Sequence, residues 1–173
     1  MILKGFKEKS NQKYLNKLLS ERHVNVNEDP VKSLGVIFNI NEIDDFELFT
    51  KFADLIKVRP NITKIIAFSQ NEKESVKSWD KCYNRRDFGR HGIVKNAELD
   101  TFLNTEFDLL ISYYEEEILE LKLMTALSKA KFKIGILQAD ERLNDLIIKT
   151  KLKNIDLFKK EVYKYLKILK KIK

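Results

Sequence analysis

Half of the arginines in this chain, its only tryptophan, its only cysteine and one of its two histidines lie in one stretch, Trp79-Asp-Lys-Cys82-Tyr-Asn-Arg85-Arg86-Asp87-Phe88-Gly89-Arg90-His91-Gly92. Guanidinium groups beside aromatic rings can grip an anion or stack on a base. Trp79, Arg85, Arg86, Arg90 and His91 are therefore candidate ligand-binding residues. The competing use is an ordered loop in which Trp79, Tyr83 and Phe88 plug the core while the arginines face water. Cys82 and His91 lack the third orienting group and oxyanion site that a catalytic pair needs, so Cys82 reads as a small buried hydrophobe. Asp87-Phe88-Gly89 spells the kinase metal-binding triplet, but the other kinase motifs are missing and the match is chance.

A second set of polar residues follows the apolar runs. Asn39-Ile-Asn41-Glu42-Ile-Asp44-Asp45 ends the first run, Ser112-Tyr-Tyr-Glu115-Glu116-Glu117 the third, and Gln138-Ala-Asp140-Glu141-Arg142 the fourth. In an open parallel sheet these carboxyl ends are the default ligand site. Asn39, Asp44 and Arg142 are candidates there; the carboxylates after the first run could instead hold a hard divalent cation together with Asp140 or Asp145. The simpler reading is local: Asp44 caps a helix with Glu47 as reciprocal partner, the Glu115–Glu117 acids complement a helix dipole, and Arg142 pairs with an acidic neighbour. No Gly-x-Gly-x-x-Gly and no Gly-x-x-x-x-Gly-Lys-Ser/Thr occurs, which disfavours dinucleotide and P-loop nucleotide binding. Cys/His metal spacing is absent, so the expectation is no metal and no evident cofactor; the catalytic residues, if any, are unknown.

The elements that must position these residues follow from periodicity. Apolar runs over 34–40, 62–69, 107–113 and 132–137 read as strands buried on both faces, with a shorter edge strand over 145–149. Helical patterns cover 7–22, 44–59, 96–104, 115–129 and 154–172, with Pro60 closing the second and a further short helix expected over 74–83. Strands alternating with helices imply right-handed crossovers and a mostly parallel sheet. The expected fold class is α/β: one three-layer Rossmann-like domain of about five strands, order of the 3-2-1-4-5 kind, with an amphipathic helix at each terminus. Residues 1–30 form the N-terminal helix and connection, and 31–173 the domain proper.

The 173 residues carry a net charge of +7, yet residues 149–173 hold ten lysines against Asp156 and Glu161, an excess of +8 that leaves −1 for the rest. The basicity belongs to the last helix. Its stripe of Phe158, Val162, Tyr165, Leu166, Leu169 and Ile172 would bury at ~1.5–3 kcal/mol per large apolar group, more than surface charge offers, so the helix docks on the sheet and nucleic acid is disfavoured as a partner. One cysteine fits a reducing cytoplasm, and neither a signal peptide nor a membrane span is expected.

Several segments together, Asn39 to Phe49, Arg86-Asp-Phe-Gly89, Phe107-Asp-Leu-Leu-Ile111, Leu127-Ser-Lys-Ala-Lys-Phe-Lys-Ile-Gly135 and Tyr165-Leu-Lys-Ile-Leu169, resemble a family of small uncharacterised bacterial α/β proteins known only as a domain of unknown function. The resemblance spans nearly the full length and implies a fold class without an activity. Residues 107–135 also look like one crossover of the heptosyltransferase-type glycosyltransferases, which place a sugar nucleotide between two such domains. Three functions follow as expectations. The first is a non-enzymatic binding or interaction module, with a protein partner, a second copy or a small anionic ligand meeting the Trp79–Gly92 stretch at an exposed apolar patch around Trp79 and Phe88. The second is an enzyme or remnant acting on a phosphorylated small molecule such as a nucleotide-sugar, and the third is weak RNA association through the last helix.

Overall fold

The structure is a computed structural model and describes residues 2–24, 26–71, 81–137 and 139–173. Trp79, Gln138 and most of the short helix expected over 74–83 lie outside the described residues. The elements run α1 (Ile2–Ser20), β1 (Leu34–Asn39), α2 (Phe46–Leu55), β2 (Thr63–Phe68), β3 (Cys82–Tyr83), α3 (Ala97–Asn104), β4 (Leu109–Tyr113), α4 (Leu119–Leu127), β5 (Lys133–Ile136), β6 (Leu146–Ile148) and α5 (Ile155–Ile168). All strand pairs are parallel, in the order β3-β2-β1-β4-β5-β6. Among the described residues the sheet thus has six strands where the sequence pointed to about five. The addition is Cys82–Tyr83, expected at the end of a helix, which instead pairs with Ala67 and Phe68 at the sheet edge.

The continuous apolar runs are explained by cover on both faces. Val36, Phe38, Ile111, Tyr113, Ile134 and Ile136 point to one side, where α2 and α5 supply Phe49, Phe52, Phe158, Val162 and Leu166. Ile37, Leu110 and Tyr114 point to the other, against Leu15 and Leu19 of α1, Leu99 and Phe102 of α3, and Leu121 and Met124 of α4. Alternate residues of each strand therefore serve opposite layers, and neither face tolerates a polar repeat. Gly35 is required by this packing: a Cβ there would sit 2.7 Å from the Phe107 ring.

Several boundaries move, each for a local reason. The cap of α2 is Asp45, whose Oδ1 accepts from Leu48 N at 3.0 Å, so Asp44 lies one residue outside the helix. That helix ends at Leu55, capped by Ile56, and Lys57 just beyond it takes the left-handed region (φ 59°), with Val58 N donating back to the Ala53 carbonyl; Pro60 follows a helix already closed. Helix α4 starts at Leu119, so Glu115, Glu116 and Glu117 stand in the loop before it, outside its first turn. On α5 the lysines fall outside the packed stripe, but beyond its end Lys171 does not: it is 2% exposed, its Nζ donating to the Asn27 carbonyl at 2.7 Å and thereby tying the C-terminal end to the segment before β1. No helix among the described residues is long and apolar enough to cross a membrane.

Candidate functional site

Strand order reverses between β1 and β4, which both emerge at the carboxyl rim beside Asn39 and Tyr113. Backbone N–H groups at such rims are the usual receptors for anionic ligands. Here the chain's own side chains take them. Asn41 Oδ1 accepts from Gln70 N at 2.9 Å, joining the loops after β1 and β2. Glu42 Oε1 accepts from Glu115 N at 3.1 Å and Glu116 N at 2.9 Å, joining the loops after β1 and β4. Glu117 Oε1 accepts from Ala139 N at 2.6 Å after β5, and Glu115 Oε1 accepts from Leu152 N at 2.8 Å after β6. The acids that the sequence offered as dipole complements are stitches across the rim.

Electrostatics follow from these bonds. Burial raises the Glu42 carboxyl above its ordinary range; its two backbone donors pull the other way, and the Glu116 carboxylate adds to the rise. The Ala139 N–H, helped by Lys122 at 3.2 Å, holds Glu117 below the ordinary range. Asn39 is fully buried, its Oδ1 accepting from Asn41 N at 3.1 Å. Its Nδ2 makes no hydrogen bond of good geometry, although the amide lies close enough to Glu42 to favour the ionised carboxylate.

The other strand-end candidates do not converge with Asn39. Asp44 is exposed. Arg142 forks onto Asp140, with Nε and Nη2 at 2.9 and 2.6 Å from its two oxygens. Asp145 is spent on Arg22 and on Lys133 N, so it shares no site with Asp140. Among the described residues no group of three or more His, Cys, Asp and Glu could hold a metal ion.

The arginine-rich stretch divides into parts. Asn84 and Asp87 cap each other around the 3₁₀ turn Arg85–Asp87, with Asn84 Oδ1 accepting from Arg86 N and Asp87 Oδ2 from Asn84 N. Asn11 of α1, 1% exposed, clamps the following turn by donating to the Gly89 carbonyl and accepting from Gly92 N, both at 3.0 Å. Gly92 has φ +68°, and a Cβ there would lie 2.4 Å from the Tyr14 ring, so only glycine fits. Phe88 is completely buried, which removes the expected exposed patch at that residue. Arg90 and His91 sit exposed at the tip of the turn, His91 N donating to Ser10 Oγ.

Arg85 and Arg86 meet Lys7 and Glu8 of α1 and Leu119 and Glu120 of α4 around a cleft of about 290 Å³. Lys7 Nζ donates to the Arg85 carbonyl at 2.7 Å. Arg85 Nε stands 3.5 Å from Glu120 Oε2, an ion pair without hydrogen-bond geometry, and both atoms are buried with no hydrogen-bond partner. Glu120 is 7% exposed, so this under-satisfied pair forms one wall of the cleft. The first turn of α4 opens beside it, with no side-chain cap at Ile118. A second groove, about 330 Å³, runs along α2 and β2 past Phe46, Ala53, Val58 and Ile65; it is mostly apolar, and among the described residues its charged lining groups are Asp54 and Lys81. Lys7 and Glu120 gave no sequence signal, one being a lysine on a lysine-rich helix and the other an acid in a helical run.

No curated protein and no solved structure matches the chain. A family model described as a family of unknown function, DUF6913, matches residues 7–169, from the Lys7 wall of the cleft to the end of α5, and the chain belongs to that family.

Proposed function

We propose that the chain is a non-enzymatic binding module on a Rossmann-like frame, taking a small anionic ligand in the cleft between α1, the Arg85–Asp87 turn and α4. The parallel strand order supports the frame, since it is that of the doubly wound dinucleotide-binding sheets. One observation carries the functional reading: Lys7 and the Arg85–Arg86 pair, from two segments far apart in sequence, converge on one cavity and outnumber its acids Glu8 and Glu120. An anion would answer that excess of positive charge, and the uncapped turn of α4 adds favourable potential. The stitched rim supports binding over catalysis by a glycosyltransferase half-unit, because the donors that would cradle a nucleotide pyrophosphate already hold carboxylates. Among the described residues the cleft's lining includes no serine, threonine, cysteine or histidine that could serve as nucleophile or proton shuttle.

Thermal unfolding with inorganic pyrophosphate tests this. Ligand at ten times its dissociation constant should stabilise the native state by about 1.4 kcal/mol, a rise in Tm of roughly 3 °C at this chain length. The Arg85→Ala/Arg86→Ala double variant should fold and lose the rise. No rise in the wild type, or an equal rise in the double variant, would reject the reading.

A further inference from the structure

At the opposite end of the sheet a second cavity, about 570 Å³, opens between the C-terminal ends of α1 and α4 and the start of β5. Lys133 forms part of its lining although the residue is 5% exposed. A buried ammonium ordinarily has a carboxylate beside it. Among the described residues Lys133 makes no salt bridge. The neighbouring carboxylate, Asp145, is committed to the Arg22 guanidinium and to the backbone N–H of Lys133 itself. The acceptors for Nζ are two helix-end carbonyls, Thr125 at 2.7 Å and Ala126 at 3.5 Å. Two carbonyls match the two N–H bonds of a neutral amine and leave its lone pair uncommitted; the third N–H of an ammonium would have to turn toward the cavity.

We propose that Lys133 is a reactive amine that condenses with an anion-bearing aldehyde or ketone entering this cavity. The Nζ lone pair attacks the carbonyl carbon and forms the C–N bond; the carbonyl oxygen leaves as water. In net terms one ammonium and one carbonyl give one protonated imine and one water, with no change of oxidation state. The protonated imine keeps a single N–H, which Thr125 O accepts. Burial is the main reason the amine is available: it brings the Lys133 ammonium down to about 8, with Arg22 pushing the same way and Asp145 opposing. The mouth carries Arg22, Lys129 and Lys131 against Glu21 and Glu106, with Arg22 paired to Asp145 and Lys131 to Asp108, so Lys129 is the cation there that an anionic substituent would meet.

The test is reductive trapping. The full chain is mixed at pH 8 with one equivalent of pyridoxal 5′-phosphate, reduced with borohydride and mapped by peptide mass spectrometry. The expected result is a single dominant adduct on Lys133, at least about tenfold above the median of the other lysines, since near pH 8 about half of such an amine is neutral against well under a hundredth of an ordinary one. Pyridoxal without the phosphate should label Lys133 several-fold less. Unfolding in urea before labelling should abolish the preference, and Lys133→Arg should remove the adduct. Labelling spread over exposed lysines, with Lys133 at or below the median, would overturn the proposal; so would equal labelling of Lys133 in the folded and urea-unfolded chain.

Discussion

Replacing Glu42 by alanine and by glutamine separates what its carboxylate does by accepting hydrogen bonds from what it does by charge. Oε1 accepts from both Glu115 N and Glu116 N, while Oε2 has only a 3.2 Å contact to Glu115 N. Glutamine with its amide oxygen in the Oε1 position keeps both donors satisfied. It also removes the repulsion from Glu116 and the burial cost of a charge, the two effects that raise the Glu42 carboxyl. Alanine strands both donors. Stranding a buried donor costs about 1–3 kcal/mol, and at this solvent-facing rim water recovers part of that, so Glu42→Ala should lose about 1–2 kcal/mol and Glu42→Gln less than about 0.5. Because the folded carboxyl titrates above its unfolded value, the wild type loses stability as pH rises from the unfolded pKa through the folded one. Glu42→Gln should lack that component of the pH dependence while keeping the rest. Urea unfolding at pH 5 and pH 7 measures both effects. A glutamine variant as unstable as the alanine variant would show that charge, rather than hydrogen bonding, holds the rim.

Three further perturbations probe the frame and the cavity at Lys133. Gly135→Ala would place a Cβ 2.3 Å from Asn144 Nδ2 and 2.7 Å from Ser112 Oγ, breaking their buried hydrogen bond, and should lower stability by about 1–3 kcal/mol; an unchanged urea midpoint would contradict the tight register of β4, β5 and the segment before β6. Lys133 binds fewer protons folded than unfolded between about 8 and 10.5, so the wild type should gain stability as pH rises through that window, by up to about 3 kcal/mol, whereas Lys133→Met should show no such gain; parallel slopes in urea unfolding would refute this. Burial raises the Asp108 carboxyl, but Lys131 at 2.9 Å together with Lys32 N and Ser33 outweighs it and holds the group low. Its contribution should persist at neutral pH and disappear as pH falls through the folded pKa, so Asp108→Asn should narrow the stability gap between pH 7 and pH 2; an unchanged gap would count against that tie between β1 and β4.

The central strands were legible because cover on both faces demands uninterrupted apolar residues, as in Leu34–Asn39 and Leu109–Tyr113. β3 was not: two residues in a polar loop become a strand only through pairing with Ala67 and Phe68, a contact invisible to local pattern. The acidic character of the rim could be read from composition, but its wiring joins residues such as Glu42 and Glu115, 73 positions apart. Arg85 and Arg86 stood out by rarity, while Lys7 was one lysine among many on its helix. Lys133 did carry a signal, a cation opening the run Lys133-Ile-Gly-Ile136 in a strand buried on both sides, but it reads equally well as a strand boundary.

Amide chemical shifts of the ¹⁵N-labelled chain during a pyrophosphate titration would locate the ligand directly. Saturable changes at Lys7, Arg85, Arg86, Leu119 and Glu120, with Gln70, Glu115, Glu116 and Ala139 unmoved, are the predicted result. Changes concentrated on those four rim amides instead would mean that the carboxylates yield to a ligand and that the strand ends, not the α1–α4 cleft, form the binding site.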